Sequence, residues 1–524
     1  MTLHRRMSPP LALAVLLALC AHCEAAPQSS NAQRPNIIII LADDMGFGDV
    51  ACQNPDSKIP TPFLDKLATQ GMRFTDAHSP SAVCTPTRYS LLTGTYAWRS
   101  ALKRSVLWPW DAPLIDEDTL TLPQMLSEQG YTTACIGKWH LGWNWPTTDG
   151  SAINDIIPLG KFDNKIRNPW HEKVDFSKSL AGGPTARGLG YYFGDDVPNF
   201  PPYGFIENDR MLALPKVPKP EPMFGLPGPM VEGWDLTAVM PTLAKKAVDF
   251  IKAPARQAPF GKKANAPFFL YLSLTAPHTP IAPTEEFIGK SGAHRYGDFV
   301  NEVDWLVGQV MDALSATGQE ENTLLIFTSD NGSPGRDGEN MNGKPNTVRA
   351  YGHNPSHIYR GIKADIWEGG HRVPFIARWP KRIAAASASD EVITHTDFMA
   401  TCAALTGATF PQDAARDSYN LLPLLLGEEQ TEPLREATVH HSINGMFAIR
   451  QGDWKFIDGK GSGGWSGKGA AGAPPVQLFN LAKDPREEHN LQEQHPDIVQ
   501  RLSALLARYK RDGRSAIRPT NNAE

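Results

Sequence analysis

Residues 36–44 read Asn-Ile-Ile-Ile-Ile-Leu-Ala-Asp-Asp, a continuous apolar run that ends at Asp43 and Asp44. Four of its side chains are isoleucines, which are β-branched and favour strands. Such a run predicts a central strand that is buried on both faces of a mostly parallel sheet. The two aspartates then lie at the carboxyl end of this strand, where open α/β sheets bind their ligands.

Two later segments repeat the pattern of an apolar run followed by polar side chains. Residues 267–274 precede His278, and residues 323–328 precede Asp330 and Asn331. Helical patterns lie between these runs, at residues 62–70, 120–129 and 299–316. Because strands alternate with helices, the sequence predicts an α/β fold. The polar side chains should converge at one edge of the sheet.

The chain has 524 residues, which suits one large domain and one small one. Beyond about residue 426 the pattern changes to short alternating runs, which predict a small antiparallel sheet with one helix. The runs lie at residues 437–441, 446–450, 454–457 and 476–481, and the helical pattern lies at residues 496–510. We therefore expect a large domain over residues 34–426, built on a mixed, mostly parallel sheet flanked by helices, and a smaller α+β subdomain over residues 427–524.

Residues 145–234 form a long segment that is rich in proline, glycine and aromatic residues and shows little periodicity. Its length exceeds that of an ordinary connection, which favours an insertion that shapes a binding pocket. The alternative is a surface excursion without a role.

The charge balance argues against a nucleic-acid partner. There are 51 Lys and Arg residues against 56 Asp and Glu residues, which gives a net charge of −5. Proteins that hold nucleic acid neutralise its phosphates with an excess of basic side chains. Hydrophobic residues make up 41% and charged residues 20%, which is ordinary globular usage and excludes a broadly disordered chain.

The N-terminus has the order of a secretory signal. Two arginines precede an apolar run at residues 11–19, and small residues around Ala25 follow it. We predict that residues 1–25 are a signal peptide and that the protein is exported, to the periplasm or the medium. Leu19 occupies a place where a lipoprotein signal needs a small residue, which disfavours lipid anchoring. No later run approaches the ~20 apolar residues of a transmembrane helix, so none is expected.

Four cysteines remain after the predicted cleavage, and they form no Cys-x-x-Cys pair. They are Cys52, Cys84, Cys135 and Cys402. Their wide spacing argues against a zinc site or a disulfide framework, although Cys52 could pair in an oxidising compartment. Cys135 and Cys402 lie in apolar stretches, which is typical of small buried side chains.

Cys84 begins the string Cys-Thr-Pro-Thr-Arg, and Leu-Leu-Thr-Gly follows at residues 91–94. This string resembles the signature of the formylglycine-dependent sulfatases, in which the cysteine is oxidised after translation to an aldehyde. Gly-Lys-Trp-His-Leu-Gly at residues 137–142 resembles the second signature of that family. Other motifs follow in family order: residues 36–44, Pro-His-Thr-Pro at 277–280, Asp-Asn-Gly at 330–332, Lys363, and Glu-Gly-Gly at 368–370. Nearly all of the mature chain therefore resembles a sulfatase of the alkaline phosphatase superfamily, similar to bacterial carbohydrate sulfatases.

The resemblance implies hydrolysis of sulfate esters with residue 84 as the nucleophile. A serine that attacked a sulfate ester would itself become a stable ester, whereas a hydrated aldehyde releases sulfate by collapsing back to the aldehyde. Cys84 must then be converted to formylglycine by a maturation enzyme. Residue 87 is Thr, where most family members have Ser or Ala. The maturation enzyme reads chiefly the Cys, Pro and Arg of the string, so conversion is still expected.

The resemblance also implies a metal centre. Asp43, Asp44, Asp330 and Asn331 offer hard oxygen ligands, which suit Ca²⁺ better than a soft transition metal, and Ca²⁺ is favoured over Mg²⁺. Residue 84 completes this ligand set in the family. Asp330 also carries over as a base that activates the attacking hydroxyl group.

Five further residues carry over as groups that act on the nucleophile or the sulfate. Arg88, Lys138 and Lys363 supply positive charge around residue 84 and the sulfate oxygens. His140 takes the proton released when sulfate leaves, and His278 donates a proton to the leaving oxygen, tasks that suit imidazole near neutral pH.

The expected substrate is a sulfated saccharide, because aromatic faces pack on sugar rings and short polar side chains select hydroxyl groups. Residues 190–210 resemble those of bacterial sulfatases that act on sulfated glycans, which favours a sulfate at the 6-position of galactose or N-acetylgalactosamine. The candidate substrate contacts are Asp195, Asp196, Asn199, Tyr203, Trp170, His171, Arg349 and His353, with Trp108, Trp110, Glu207, Asn208, Tyr351 and His357 as further candidates.

Two other functions remain open at this point. A phosphonate or phosphodiester hydrolase could share the formylglycine machinery, because the same charges would stabilise a phosphoryl transition state. A non-catalytic binder of sulfated glycans would result if Cys84 stayed a thiol, which at the start of a helix would also be reactive.

Overall fold

A mixed sheet of ten strands lies at the centre of the computed structural model. The structure describes residue 2 and residues 34–254, 259–261, 264 and 266–516. Apart from residue 2, the predicted signal peptide lies outside the described residues, so it stays a prediction.

The regular elements of the described ranges are numbered in chain order. The strands are β1 (Asn36–Asp43), β2 (Met72–Phe74), β3 (Ala77–His78), β4 (Thr132–Gly137), β5 (Tyr191–Gly194), β6 (Ile206–Glu207), β7 (Arg210–Met211), β8 (Val217–Pro218), β9 (Pro229–Met230), β10 (Phe268–Pro277), β11 (Thr323–Ser329), β12 (Phe375–Arg378), β13 (Ser387–Ser389), β14 (Ile393–Thr394), β15 (Thr438–His441), β16 (Phe447–Gln451), β17 (Trp454–Ile457) and β18 (Gln477–Asn480). The α-helices are α1 (Pro62–Thr69), α2 (Cys84–Thr93), α3 (Leu122–Glu128), α4 (Ile153–Ile156), α5 (Asn164–Arg167), α6 (Val239–Lys252), α7 (His294–Ala316), α8 (Glu368–His371), α9 (Phe398–Thr406), α10 (Leu422–Leu425) and α11 (Pro496–Asp512).

β1 lies near the middle of the large sheet, whose strand order is β13-β2-β12-β11-β1-β10-β4-β5-β6-β7. β11, β1, β10, β4 and β5 run parallel to one another, whereas β12 and β6 run antiparallel to their neighbours β11 and β5. The mixed, mostly parallel α/β architecture predicted from the sequence is therefore confirmed. The three predicted apolar runs correspond to β1, β10 and β11.

Alternate side chains of β1 enter two different cores. Ile37 and Ile39 pack on the side that also holds residues of α2, α3 and α9, and Ile38 and Ile40 pack on the side of α1, α6 and α7. All four side chains are fully buried. Since both faces of the strand are covered, β1 is a rigid support for the aspartates that follow it.

The predicted helices at residues 62–70, 120–129 and 299–316 are present as α1, α3 and α7, but α7 begins five residues earlier, at His294. Its first turn contains Tyr296, which is buried and donates a hydrogen bond to the carboxylate of Asp49. This tertiary contact extends the helix beyond the range in which the sequence shows apolar periodicity.

The small antiparallel sheet predicted for the C-terminal part is confirmed. It has the order β15-β16-β17-β18, and α11 packs on one of its faces. Ile366 and Trp367, from the large part of the chain, pack on the other face. The described residues from 35 to 516 belong to one compact unit, so the boundary near residue 426 stays a prediction.

The segment at residues 145–234 is not a plain loop. It contains α4, α5 and five short strands, β5 to β9, of which β5, β6 and β7 extend the large sheet at one edge. In the described part of the chain, no helix is long and apolar enough to cross a membrane.

The small sheet is joined to the large part of the chain by a buried ion-pair network. The Nζ atom of Lys455, on β17, lies 2.9 Å from Oε1 of Glu368 and 2.9 Å from Oε1 of Glu487. Glu368 also pairs with Arg372, whose Nη1 atom lies 2.9 Å from Oε2. The Lys455 side chain is 0% exposed. Removing one partner from such a network leaves the opposite charges buried and unpaired, which is much more costly than losing a surface pair.

We expect the Lys455→Met variant to lose about 3–5 kcal/mol of unfolding free energy, because the carboxylates of Glu368 and Glu487 lose their shared cation. Urea unfolding followed by circular dichroism measures the loss. Lys245→Met is the matched control, because Lys245 is 75% exposed and pairs with Asp249 one helical turn away. The control should lose no more than ~0.5 kcal/mol. Equal losses in the two variants would contradict a role for the buried network.

Candidate active site at the carboxyl edge of the sheet

Four neighbouring parallel strands end in polar residues at the same edge of the large sheet. Asp43 ends β1 and Asp44 follows it, Lys138 follows β4, His278 follows β10, and Asp330 and Asn331 follow β11. Because parallel strands end at one edge, residues that are far apart in sequence lie side by side. The convergence predicted from the apolar runs is present in the structure.

Cys84 is the first residue of α2, and every residue of this helix is buried. Its side chain lies in a small apolar cluster with Val83, Val106 and Ala364, against which Trp108 and Ile443 pack. The unsatisfied amide groups at the start of a helix favour negative charge. The structure therefore places residue 84 where an anion is stabilised and bulk water is restricted.

Three cations and three carboxylates surround residue 84. Lys138 Nζ lies 2.6 Å from Asp43 Oδ2, and Lys363 Nζ lies 2.6 Å from Asp44 Oδ1. Arg88 Nη2 lies 2.8 Å from Asp330 Oδ2 and 3.6 Å from Asp43 Oδ1. All six side chains are at most 6% exposed. The formal charges balance, so adding a divalent cation would give the site a net positive charge suited to an anionic substrate.

The oxygen atoms at this edge fit a hard divalent cation. Ligand atoms of Asp43, Cys84 and Asp330 lie within 4.8 Å of one another, and so do ligand atoms of Asp43, Asp44 and His278. Asp43 Oδ1 and Asn331 Oδ1 are buried and have no hydrogen-bond partner among the described residues. Buried oxygen atoms without a partner are rare, and a bound cation would satisfy them.

The environment shifts the pKa values of the charged groups at this site in different directions. Burial on its own raises the pKa of Asp43, but Lys138, His278, Arg88 and Lys363 together hold it below its ordinary value. Burial and the neighbouring Asp43 carboxylate raise the pKa of Asp330 despite the opposing effect of Arg88. Burial opposes the charge on Lys363, but Asp44, Cys84, Asp43 and Asp330 together outweigh it and raise the pKa of this ammonium group.

The two histidines of the candidate site, His140 and His278, have different hydrogen-bond partners. His278 Nδ1 lies 2.6 Å from the carbonyl oxygen of Thr279, to which only a protonated nitrogen can donate, and His278 Nε2 lies 3.8 Å from Asp44 Oδ2. His140 Nε2 lies 2.9 Å from the carbonyl oxygen of Leu107, and His140 Nδ1 has no partner in the described part of the chain. Burial and a neighbouring lysine lower the pKa of each to about 3. Both rings are therefore neutral, and His140 Nδ1 is free to accept a proton.

Three of the predicted substrate contacts, Asp195, Asp196 and Asn199, follow β5, and the two aspartates interact with Lys138 of this centre. The backbone amide of His140 donates to Asp196 Oδ1 over 3.1 Å. Both carboxylate oxygens of Asp195 and Oδ1 of Asn199 are buried, and no hydrogen-bond partner for them lies in the part of the chain that the structure describes. Burial raises the pKa of Asp195 to about 7. Buried oxygen atoms usually have such a partner.

The other predicted substrate contacts are engaged elsewhere or lie apart. Tyr203 donates its hydroxyl group to the carbonyl oxygen of Leu226 over 2.6 Å, and His353 Nε2 lies 2.7 Å from Asp49 Oδ1. Trp170 is buried beneath Lys173, His171 packs near the ring of Trp110, and Arg349 lies within a short 3₁₀ turn. Their substrate roles stay predictions, and the structure gives Tyr203 and His353 supporting contacts within the protein.

Sequence reasoning missed the residue that orients Arg88. Ser273, on β10, accepts a hydrogen bond from Arg88 Nη1 and donates one to the carbonyl oxygen of Lys138 over 2.7 Å. Ser273 thereby links the side chain of Arg88 to the backbone of Lys138 through hydrogen bonds. The signal was weak, because Ser273 is one of two short hydroxyl side chains, with Thr275, in a largely apolar strand.

Comparisons with known proteins agree with this geometry. The Sulfatase family model matches residues 35–408, and a model described as the C-terminal part of N-sulphoglucosamine sulphohydrolase matches residues 363–512. The chain is 32% identical over 549 residues to an N-acetylgalactosamine-6-O-sulfatase of Bacteroides thetaiotaomicron, covering 96% of this chain and 99% of that protein. It is 30% identical over 510 residues to human arylsulfatase A, covering 94% and 89% of the two chains.

The fold also matches solved structures. One from Bacteroides thetaiotaomicron, solved in work on the metabolism of multiple glycosaminoglycans, superposes with a TM-score of 0.75 at 31% identity, covering 91% of this chain and 100% of that one. The similarity therefore extends over the large sheet and the small one together.

Proposed function

The chain belongs to the sulfatase family and is a sulfuric ester hydrolase, and we propose that it removes O-sulfate from the 6-position of N-acetylgalactosamine or galactose, with formylglycine at position 84 as the nucleophile. One observation carries this proposal: residue 84 lies at the start of α2 among three buried cations and three buried carboxylates. The similarity to an N-acetylgalactosamine-6-O-sulfatase supports the sugar and the position.

The cations have a direct role in this proposal. Lys138 and Lys363 would hold the sulfate oxygens, and Arg88 would hold the attacking oxygen at position 84, since each is fixed by a carboxylate before substrate arrives. Groups that are oriented in advance stabilise the charge of the transition state without having to reorganise. Asp43, Asp44, Asp330 and Asn331, with residue 84, would hold one Ca²⁺, which would supply further positive charge.

The histidines would move the protons. His140 Nδ1 would accept the proton that is released together with sulfate, because it is buried, neutral and without another partner. His278 would donate to the leaving sugar oxygen from Nε2 after the ring has taken up a proton on substrate binding, since the hydrogen of the neutral ring lies on Nδ1 and faces Thr279. An anionic sulfate ester beside this ring raises the pKa of the imidazole, which is the direction that a proton donor needs.

Two measurements test this function. The intact mass of the tryptic peptide that contains residue 84 shows whether the thiol has become an aldehyde, because this conversion lowers the mass. Desulfation of a panel of defined sugars, sulfated at single positions, then identifies the substrate. We expect release of sulfate from 6-sulfated N-acetylgalactosamine or galactose and not from the 2-sulfated or 4-sulfated sugars.

Assays on the same enzyme preparation distinguish this function from the two alternatives, a phosphodiester hydrolase and a non-catalytic binder of sulfated glycans. A strong preference for an aryl phosphodiester over the matched aryl sulfate would favour a phosphodiester hydrolase. An unmodified thiol in protein that still binds the sugars would favour a non-catalytic binder. We also propose that the protein is exported after cleavage near residue 25 and is converted by a maturation enzyme, on the strength of the N-terminal apolar run and the residue 84–88 string.

A further inference from the structure

An exposed tryptophan lies beside the catalytic cations and has no role in the proposed chemistry. Trp465 belongs to the glycine-rich segment after β17, and 43% of its surface is exposed. Lys363 Nζ lies 5.9 Å from the centre of its ring, and Arg336 Cζ lies 5.9 Å from the same ring. A large aromatic surface left in solvent next to a substrate-binding cation suits contact with a ligand.

The tryptophan is held in place by the turn that carries Lys363. Asp365 Oδ1 accepts hydrogen bonds from the backbone amides of Trp465 over 2.8 Å and of Ser466 over 3.0 Å. The other oxygen of Asp365 accepts from the amide of Ile362 over 3.0 Å. One carboxylate therefore fixes both the turn around Lys363 and the backbone of Trp465.

The same segment lies directly against the wall around residue 84. A Cβ atom on Gly464 would lie 2.3 Å from the carbonyl oxygen of Ala364, so the backbone approaches there as closely as only glycine allows. Ala364 packs against Cys84 in the apolar cluster. Trp465 is thus connected to the nucleophile position through its neighbour Gly464 and through Ala364, although residues 84 and 465 are far apart in sequence.

Arg336 is a half-buried cation that has no carboxylate as an ion-pair partner among the described residues. Its Nη1 atom donates to the carbonyl oxygen of Gly343. In the described part of the chain it forms no ion pair, unlike Arg88, which pairs with Asp330 at 2.8 Å. Burial lowers its pKa, and the partial compensation comes from Asp44 at the metal centre. A partly buried guanidinium without an acidic partner is unfavourable unless an anion from outside completes it.

The loop that carries Arg336 faces the insertion. Asn340, four residues further on, lines a groove of about 620 Å³ together with Asn199 and the segment at residues 219–227. Arg336 therefore belongs to a loop that borders space large enough for a saccharide.

We infer that Trp465 and Arg336 form a second subsite beside the sulfate-binding centre, in which the indole packs on a sugar ring and the guanidinium binds a second oxyanion of the glycan. This inference rests on the proposed function. The second oxyanion is a sulfate on the same sugar or the carboxylate of an adjoining uronic acid, since a guanidinium binds both in the same bidentate way. The preferred substrates are thus glycans with two negative charges near the scissile ester.

Three substrates test this subsite with fully converted enzyme. They are N-acetylgalactosamine 6-sulfate, its 4,6-disulfate, and an oligosaccharide in which the 6-sulfated sugar is linked to a uronic acid. We expect kcat/KM of the wild-type enzyme to be at least ~10-fold higher for one of the two doubly charged substrates, and which one it is identifies the second oxyanion. Arg336→Gln should lower kcat/KM for that substrate by ~10–100-fold and for the monosulfate by less than ~3-fold. Arg336→Lys should restore part of the loss.

Trp465→Ala should raise KM for all three sugars by ~10-fold and leave kcat nearly unchanged, because the lost contact is equal in the ground state and the transition state. Arg382→Gln is the matched control: Arg382 lies 5.3 Å from the ring of Trp379, beyond the end of β12 at the opposite edge of the sheet. It should behave as the wild type does.

The proposed subsite would be refuted if the wild type and Arg336→Gln showed the same ratio of kcat/KM between doubly and singly charged substrates. It would also be refuted if Trp465→Ala left KM unchanged. In either case turnover of the monosulfate would leave the proposed function standing. Converted enzyme that hydrolyses no 6-sulfated sugar at all would overturn the proposed function, and the subsite with it.

Discussion

The Cys84→Ser variant is expected to release at most one equivalent of desulfated sugar per enzyme molecule and then to stop. Serine has one hydroxyl group, so the sulfate ester formed on it lacks the second hydroxyl group through which a hydrated aldehyde releases sulfate. The surroundings of residue 84 remain intact, because serine fits the space that the buried thiol occupies among Val83, Val106 and Ala364. We expect steady-state turnover to fall by at least ~10³-fold.

Single-turnover and steady-state assays on the same preparation measure this effect. The mass of the peptide that contains residue 84 must show that serine is still present. Cys84→Ala provides a comparison that should bind product without any burst. Cys52→Ser is the matched control, since Cys52 is a half-buried free thiol on the other side of the sheet. Full steady-state activity of Cys84→Ser with an unmodified serine would contradict the formylglycine hydrate as nucleophile.

The sheet could be predicted from the sequence because its central strands are apolar on both faces. The four consecutive isoleucines of β1 are all buried, and β10 and β11 have the same kind of continuous apolar run. The strands β4 and β12 were not predicted. β12 spans only four residues, Phe375–Arg378, and its place between β11 and β2 depends on pairing with strands that are distant in sequence.

The charged centre could be predicted because its residues follow strands or lie in dense motifs. Asp43 ends a predicted strand and Asp330 directly follows another, so the parallel sheet alone brings them together, whereas Lys138 follows the unpredicted strand β4 and was identified from its motif. Arg336 and Trp465 could not be found in this way. Their approach to Lys363 depends on the fold of two irregular segments, and their sequence neighbours, mostly glycine and polar residues, carry no periodicity.

There is a physical reason why the charged centre could be predicted from the sequence and Arg336 and Trp465 could not. The catalytic groups need fixed positions, which regular strands provide, and they are therefore visible as breaks in an apolar pattern. Groups that select a substrate are carried by loops and insertions, which vary without disturbing the core. The residues at 195–199 illustrate this: the sequence indicated their region, and only the structure shows that Asp195 and Asn199 have buried oxygen atoms without hydrogen-bond partners in the described ranges.

Asp43→Asn is expected to abolish both the response to calcium and catalysis. Asp43 supplies one oxygen atom with no hydrogen-bond partner and one that pairs with Lys138 at 2.6 Å, so the amide removes a charged ligand and a buried counter-ion together. Loss of the cation should lower kcat/KM by at least ~10³-fold, since a metal contributes several kcal/mol of transition-state stabilisation. Loss of the counter-ion should destabilise the fold by about 3–5 kcal/mol.

Thermal unfolding with Ca²⁺ and with EGTA separates these two effects. A ligand at 100 times its Kd stabilises the native state by about 2.7 kcal/mol, so the Tm of the wild type should rise with calcium. Asp417→Asn is the matched control, because Asp417 is 0% exposed and its Oδ1 atom lies 2.8 Å from Arg99, away from the sheet edge that holds the site. It should also lose stability, yet keep its calcium response and its activity. If Asp43→Asn still gained Tm with calcium, the cation would have to be bound elsewhere, and the unsatisfied oxygens at the ends of β1 and β11 would need another partner.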